Sequence, residues 1–173
     1  GVSVSPQRTM DLGLNPEWIR YYLAAKLNAR VEDLDFNPDD FAARVNSDLV
    51  GKYVNIASRA AGFIAKQFDG TLYSFTPGNM EAQFSWSVAV GSDEMIADAY
   101  ENREFGKVIR EVMRLADVAN QRFDQAKPWE LVKDPARREA LHQACSDAIH
   151  AFFVLRVYLA PILPATAGRV AGE

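Results

Sequence analysis

Cysteine is nearly missing from this sequence. Cys145 is the only one among 173 residues, which excludes an internal disulfide and a cysteine-rich zinc site. A reducing, cytoplasmic setting is the expectation that follows. Histidine is almost as scarce, His142 and His150 being the only two. Long apolar runs are lacking as well. The most apolar stretch, 148–163, is interrupted by His150, Arg156 and Pro161, and no charged-then-apolar leader opens the sequence. Neither secretion nor a membrane span is expected. There is no glycine-rich phosphate loop, no Gly-x-Ser-x-Gly elbow and no usable cysteine–histidine pairing, hence no self-contained active site. Positive charge is not in excess either, with 19 Lys and Arg against 23 Asp and Glu. A formal charge of −4 is not that of a generic polyanion binder, so basic groups that meet a nucleic acid must be local.

What is present is helical periodicity. The chain has the length of one domain, and 49% apolar residues suffice for a core. Its organising stretch runs from Asn37 to Gly70. Asn37 suits an N-cap, Pro38 the first helical position, and Asp39 and Asp40 the positive end of the helix dipole. Gly70 is a stop signal. Phe41, Val45, Leu49, Tyr53, Ile56, Ala60 and Ile64 recur at steps of three and four, as on a buried helix face. Asp48, Lys52, Asn55, Arg59 and Lys66 lie off that face, whereas Asn46 falls among the apolar positions and reads as a satisfied core amide.

Residues 1–14 show no sustained period and read as an irregular leading segment. Asn15-Pro16 predicts a helix to about Asn28, with Trp18, Tyr21, Tyr22 and Ala25 along its core side. Residues 30–36 form an acidic connector. Residues 74–91 are the least regular interior part, with a Pro77-Gly78 turn and a partly helical second half near Phe84 and Trp86. Ser92 or Asp93 is placed to cap a helix to about Asn102. Residues 104–123 carry a clean apolar face of Phe105, Val108, Ile109, Val112, Ala116, Ala119 and Phe123. Pro128 is placed to open one short turn, and a last helix from about Pro135 to Leu159 ends before Pro161 and Pro164. No strand is expected. The fold class is all-α, an antiparallel helical bundle.

Four constellations could carry chemistry. Asn55 and Arg59 stand one turn apart and project together; an amide beside a guanidinium suits base edges, although such a pair is ordinarily a solvated helix face. Trp129, after Pro128 in a break between helices, is either a plug at the bundle end or an exposed stacking platform. Arg103, Lys107, Arg110 and Arg114 form a basic line opposite the apolar face of their helix, diluted by Glu104, Glu111 and Asp117. It reads as a solubility feature or as a phosphate track. Glu139 with His142, and Asp147 with His150, approach the Glu-x-x-His pattern of metal-binding bundles. Both lie on one helix, whereas such sites draw ligands from several.

Four longer stretches are more specific. VNSDLVGKYVNIASRAAGFI (45–64), NPEWIRYYLAAKLN (15–28), YENREFGKVIREVMRLADVANQRFDQAKPW (100–129) and YLAPILP (158–164) resemble the methionyl-tRNA synthetase family, over its helical anticodon-binding bundle. The resemblance covers nearly the whole chain and is weakest from 72 to 90. It implies a class I ligase that activates methionine with ATP and magnesium and charges tRNA bearing the CAU anticodon. Neither a His-Ile-Gly-His-like motif nor a Lys-Met-Ser-Lys-Ser loop occurs here, so the catalytic domain is expected upstream. A zinc-bearing insertion of the parent would lie there too. No cofactor is expected in this part. Residues 1–36 would be a connecting segment and 37–173 the anticodon-binding bundle. The partners implied are the tRNA(Met) anticodon loop and the parent's own catalytic domain. Site residues carried over are Asn55 and Arg59, matching an Asn-x-x-x-Arg pair, and Pro128 with Trp129. Gly51 stands where some members carry a second Asn, and it offers no side-chain contact. A helical protein-interaction module using 103–114 or 72–91 is the rival reading, and a metal-dependent bundle enzyme a third.

Overall fold

The computed structural model describes residues 15–27, 36–79 and 83–164 and, at 85, 86, 88 and 89, the backbone alone. The expected irregular segment 1–14, most of the connector before Phe36 and the side chain of Trp86 lie outside the described residues. Helix follows helix, and no strand occurs among the described residues. In chain order these are α1 (Pro16–Lys26), α2 (Pro38–Arg44), a π-helical stretch (Val45–Val54), α3 (Asn55–Phe68), α4 (Phe84–Glu101), α5 (Phe105–Ala126), α6 (Pro128–Leu131), a 3-10 turn (Pro135–Arg137) and α7 (Arg138–Leu159). The all-α bundle expected from periodicity is what forms.

Local chemistry sets the helix ends. Asn15 accepts from the Glu17 N–H at 2.9 Å, and Asn37 from the N–H groups of Asp39 and Asp40 at 3.0 and 3.1 Å. Each cap is followed by a proline in the first helical position, which has no N–H to satisfy. Asp69 and Gly70 take left-handed conformations with φ of 52° and 77°, and the Gly70 N–H returns to the Ile64 carbonyl at 3.1 Å. That closure ends α3.

The helical path from Pro38 to Phe68 is continuous, but its centre is not α-helical as the period suggested. Phe41, Val45, Leu49 and Tyr53 are buried at three successive steps of four. An α-helix turns about 40° past a full turn at each such step. Hydrogen bonding from i to i+5 widens the turn and keeps these side chains on one face. The wider turn also moves Asn46 outward, so it is exposed rather than a core amide.

Two other expectations change. Ser92 does not cap a helix: α4 begins at Phe84 and runs through it, and the buried Ser92 hydroxyl faces Glu111 at 3.4 Å. Packing against α5 and α7 carries the helix through Gly91-Ser92-Asp93. Trp18 is 40% exposed in the first turn of α1, while Ile19, Tyr21 and Tyr22 turn inward.

The core joins all the long helices. Tyr53 stacks on Phe152 at 4.8 Å and Phe68 on His142 at 3.8 Å, so α7 runs antiparallel to the long helix. Tyr22 packs edge-on against Phe36 and Phe41, and its hydroxyl donates to Asp40 at 2.8 Å. The segment after Gly70 straps over α7. The Tyr73 N–H donates to the buried Ser146 hydroxyl at 2.8 Å, the Tyr73 hydroxyl to Glu139 at 3.0 Å, and His142 lies 2.7 Å from the Thr71 carbonyl. Asp147 accepts from the Phe84 N–H at 3.2 Å and faces Arg122 at 3.8 Å. The side chains of both Glu-x-x-His-like pairs thus serve packing, and among the described residues no His/Cys/Asp/Glu group gathers as a metal would require. Burial pushes the Cys145 thiol up to about 12, which suits a packing residue. No helix of the described residues is long and apolar enough to cross a membrane.

Gly106 marks a close approach of α5 to the end of α1. Its N–H donates to the Leu27 carbonyl at 3.0 Å, and a Cβ there would stand 2.9 Å from that oxygen and 3.1 Å from the Ala25 carbonyl. Gly106→Ala should therefore lower stability by about 1–3 kcal/mol, read as a drop in the urea midpoint at unchanged slope. A second expectation concerns pH. Burial beside Phe75 holds the His150 imidazole below its ordinary 6.5, with Asp147 opposing. Its folded value is the lower one, so the unfolded chain binds the extra proton first, and stability is lost as pH falls below about 6.5. His150→Gln should flatten the fall in thermal midpoint as pH drops below about 6.5.

Candidate functional site

Along one seam the long helix meets α5 in a repeating register. Lys52 reaches Asp117 at 3.1 Å, Asn55 donates to Asn120 at 3.3 Å, and Arg59 pairs with Asp124. All three pairs are separated by 65 residues. Partners that advance together mean that the two helices run parallel here. Above the seam lies an open groove of about 460 Å³. Ser47, Gly51, Lys52, Asn55 and Arg59 form one bank, and Asp117, Asn120, Gln121 and Asp124 the other. Gly51 has no side chain to fill the groove between Ser47 and Asn55.

Asn55 and Arg59 therefore face the same cleft, as their spacing predicted. The Arg59 guanidinium lies 4.8 Å from the centroid of the Phe123 ring and pairs with Asp124 by one of its five N–H groups. Its other donors remain for a ligand. Asn55 is half-buried, and its amide gives one N–H to Asn120. The groove mixes two cations with two carboxylates, so its local field does not follow from the net charge of the chain.

Pro128 and Trp129 stand apart from this groove. Lys127, with φ of 50°, ends α5 and donates its N–H to the Asp124 carbonyl at 3.1 Å. That residue turns the chain so that Pro128 opens the single turn of α6, as its position predicted. Pro128 is buried and anchors the turn, while the next residue, Trp129, is 43% exposed. Trp129 is not among the groove-lining residues; it sits four residues beyond the α5 position, Gln125, that follows Asp124.

The basic line on α5 is less free than its spacing suggested. Arg114 clamps Glu111 through two nitrogens and, with Ser92, holds that carboxyl below the usual range. Lys107 lies 3.9 Å from Glu104. Arg103 sits in the turn before α5 with φ of 60°. Arg110 and Arg114 do border a second groove of about 310 Å³ that shares Lys52 and Asp117 with the first.

Sequence reasoning missed Asn120, Phe123 and Asp124 as site residues. Asn120 was the detectable one, a polar residue one step past Ala119 on the flank of an apolar face. Its partner across the seam could not be read without the register.

Comparison with known proteins bears on the family and the fold. Residues 1–61 match the family described as tRNA synthetases class I (M). The chain is 54% identical over 172 residues to a methionine–tRNA ligase of Methylibium petroleiphilum, and 50% identical over 171 residues to one of Neisseria meningitidis. Each match takes in 99% of this chain and 24% of the relative. The chain thus spans about a quarter of the length of those relatives. A Mycobacterium tuberculosis methionyl-tRNA synthetase, solved in complex with methionyl-adenylate, superposes with a TM-score of 0.81 at 19% identity, over 97% of this chain and 33% of that one. That likeness speaks for the fold. At half identity along nearly its whole length, the chain belongs to the methionine–tRNA ligase family of class I tRNA synthetases, as a segment of about a quarter of its relatives' length.

Proposed function

We propose that this chain is the anticodon-reading bundle of a methionine–tRNA ligase, and that it selects tRNA by its CAU anticodon without making or breaking bonds itself. The observation that carries the reading is the shared cleft of Asn55 and Arg59, both with polar groups left for a ligand. Trp129, exposed on a buried proline past the end of α5, offers a ring outside that cleft. Single-stranded loop bases are splayed out, stacked on aromatic rings and hydrogen-bonded along their edges. Asn55 would bond a base edge, Arg59 a base edge or a nearby phosphate, and Trp129 would stack on a base. Pro128 fixes where that ring stands. Exchange of Asp124 for a phosphate at Arg59 costs little, because exposed ion pairs contribute about 0–1 kcal/mol.

In this reading residues 1–36 connect to a catalytic unit and 37–173 read the anticodon, and the catalytic unit of the whole ligase uses ATP and magnesium. Tyr21 and Tyr22 are fully buried in the common core, so α1 of the connecting part packs into the bundle. The isolated chain is expected to bind RNA and not to aminoacylate it.

Titration of the tryptophan fluorescence with a CAU anticodon stem-loop at low salt, beside a stem-loop with one anticodon base changed, tests the reading. Preferential binding of CAU is expected. An equal response to both would leave only generic phosphate attraction or, with no response, favour a protein-docking module. Trp129→Ala should weaken binding by about 1–3 kcal/mol, roughly 5- to 150-fold, at an unchanged thermal midpoint. Unfolding of that variant, or unaltered affinity, would remove Trp129 from the site.

A further inference from the structure

We propose that Asn120 is a positioning residue that sets Asn55 with its side-chain carbonyl oxygen toward the groove, so that Asn55 acts on the ligand as an acceptor. This rests on the anticodon-reading function above and names the kind of group read.

The orientation follows from a chain of hydrogen bonds whose first link has one solution. The Asn120 side-chain nitrogen lies 3.1 Å from the carbonyl oxygen of Lys52 and 3.1 Å from that of Ala116. Backbone carbonyls only accept, so the NH2 group of Asn120 must occupy that place. Reversing the amide would set its oxygen against two other oxygens, with no donor between them. The Asn120 Oδ1 is thereby turned toward Asn55, where the Asn55 Nδ2 stands at 3.3 Å. An oxygen there requires a donor, so the Asn55 NH2 faces Asn120. The two polar atoms of an amide diverge from its carbon, and the Asn55 Oδ1 is directed away from α5.

An amide on a free helix face turns over readily and presents either atom. Held by Asn120, Asn55 accepts from an N–H of the ligand. The matching groups are the exocyclic amino group of cytosine or adenine and the ring N–H of uracil, each on the Watson–Crick edge. Asn120 touches no ligand in this account; it acts through Asn55, and its bond to the Lys52 carbonyl also ties α5 to the last turns of the π-helical stretch.

The test compares the parent chain, Asn55→Ala, Asn120→Ala and the double variant. Each is titrated with the CAU stem-loop and with stem-loops carrying one changed anticodon base, at two salt concentrations. Asn120→Ala should lose most of the CAU preference that Asn55→Ala loses, by about 5-fold or more, while affinity for the changed stem-loops and its salt dependence stay as in the parent. The double variant should discriminate no worse than Asn55→Ala alone. Independent losses that multiply, or an Asn120→Ala variant that discriminates like the parent, would overturn the positioning role. A parent without CAU preference would overturn the anticodon reading, and the proposal with it. In the ligand-free protein, the two Asn55 side-chain N–H signals of the parent should lie apart in a nitrogen–proton correlation spectrum and move to ordinary solvated values in Asn120→Ala. If Asn120→Ala does not fold, Asn120→Asp, which keeps the volume and removes the donors, takes its place in the same comparison.

Discussion

The 65-residue offset between the long helix and α5 is the constraint on which the rest of this molecule depends. Two parallel helices that share only apolar contacts have several nearly equivalent registers. Here one register places Lys52 beside Asp117, Asn55 beside Asn120 and Arg59 beside Asp124. The outer two pairs are exposed ion pairs of small worth. The middle rung differs in kind, because Asn120 also serves the Lys52 carbonyl of the partner helix and the Ala116 carbonyl of its own. A slip of one residue would part the amide from the Lys52 carbonyl across the seam.

The π-helical stretch contributes to the same seam. Hydrogen bonding from i to i+5 widens the turns from Val45 to Val54, and such turns recur at functional sites. Phe41, Val45, Leu49 and Tyr53 stay in the core, and Ser47, Gly51 and Asn55 are brought to the groove at the same spacing of four. The core face and the groove face of one helix are thus set by a single change of hydrogen bonding. A Cβ at Gly51 would lie 3.2 Å from the Asn46 carbonyl, a tight contact within the widened turn.

The Pro128–Trp129 turn is attached to the groove through the end of α5. Asp124 both pairs with Arg59 and, through its carbonyl, receives the N–H of the left-handed Lys127 that ends the helix. Pro128 then has a fixed φ and a buried ring, and the bulky Trp129 is held on a short turn rather than a mobile loop. Base stacking on a ring held in this way loses less side-chain entropy than on a free one. The electrostatics are similarly local. A chain of net charge −4 still gathers Lys52 and Arg59 in one cleft, each paired with a carboxylate.

The residues alone determined what depends on near neighbours. Asn15-Pro16 and Asn37-Pro38 start helices because a cap and a missing N–H act within one turn. Pro128 opens α6, the apolar stripes mark the bundle, and Asn55 with Arg59 share a face because four residues make about one turn. Tertiary structure decided the rest. Ser92 looked like a cap, but packing carried α4 through it; Asn46 and Trp18 looked internal, but a widened turn and the rim of the core left them exposed. Asn120 and Asp124 became site residues only when α5 met the long helix in one register, and local sequence carries no term for the alignment of segments 65 residues apart.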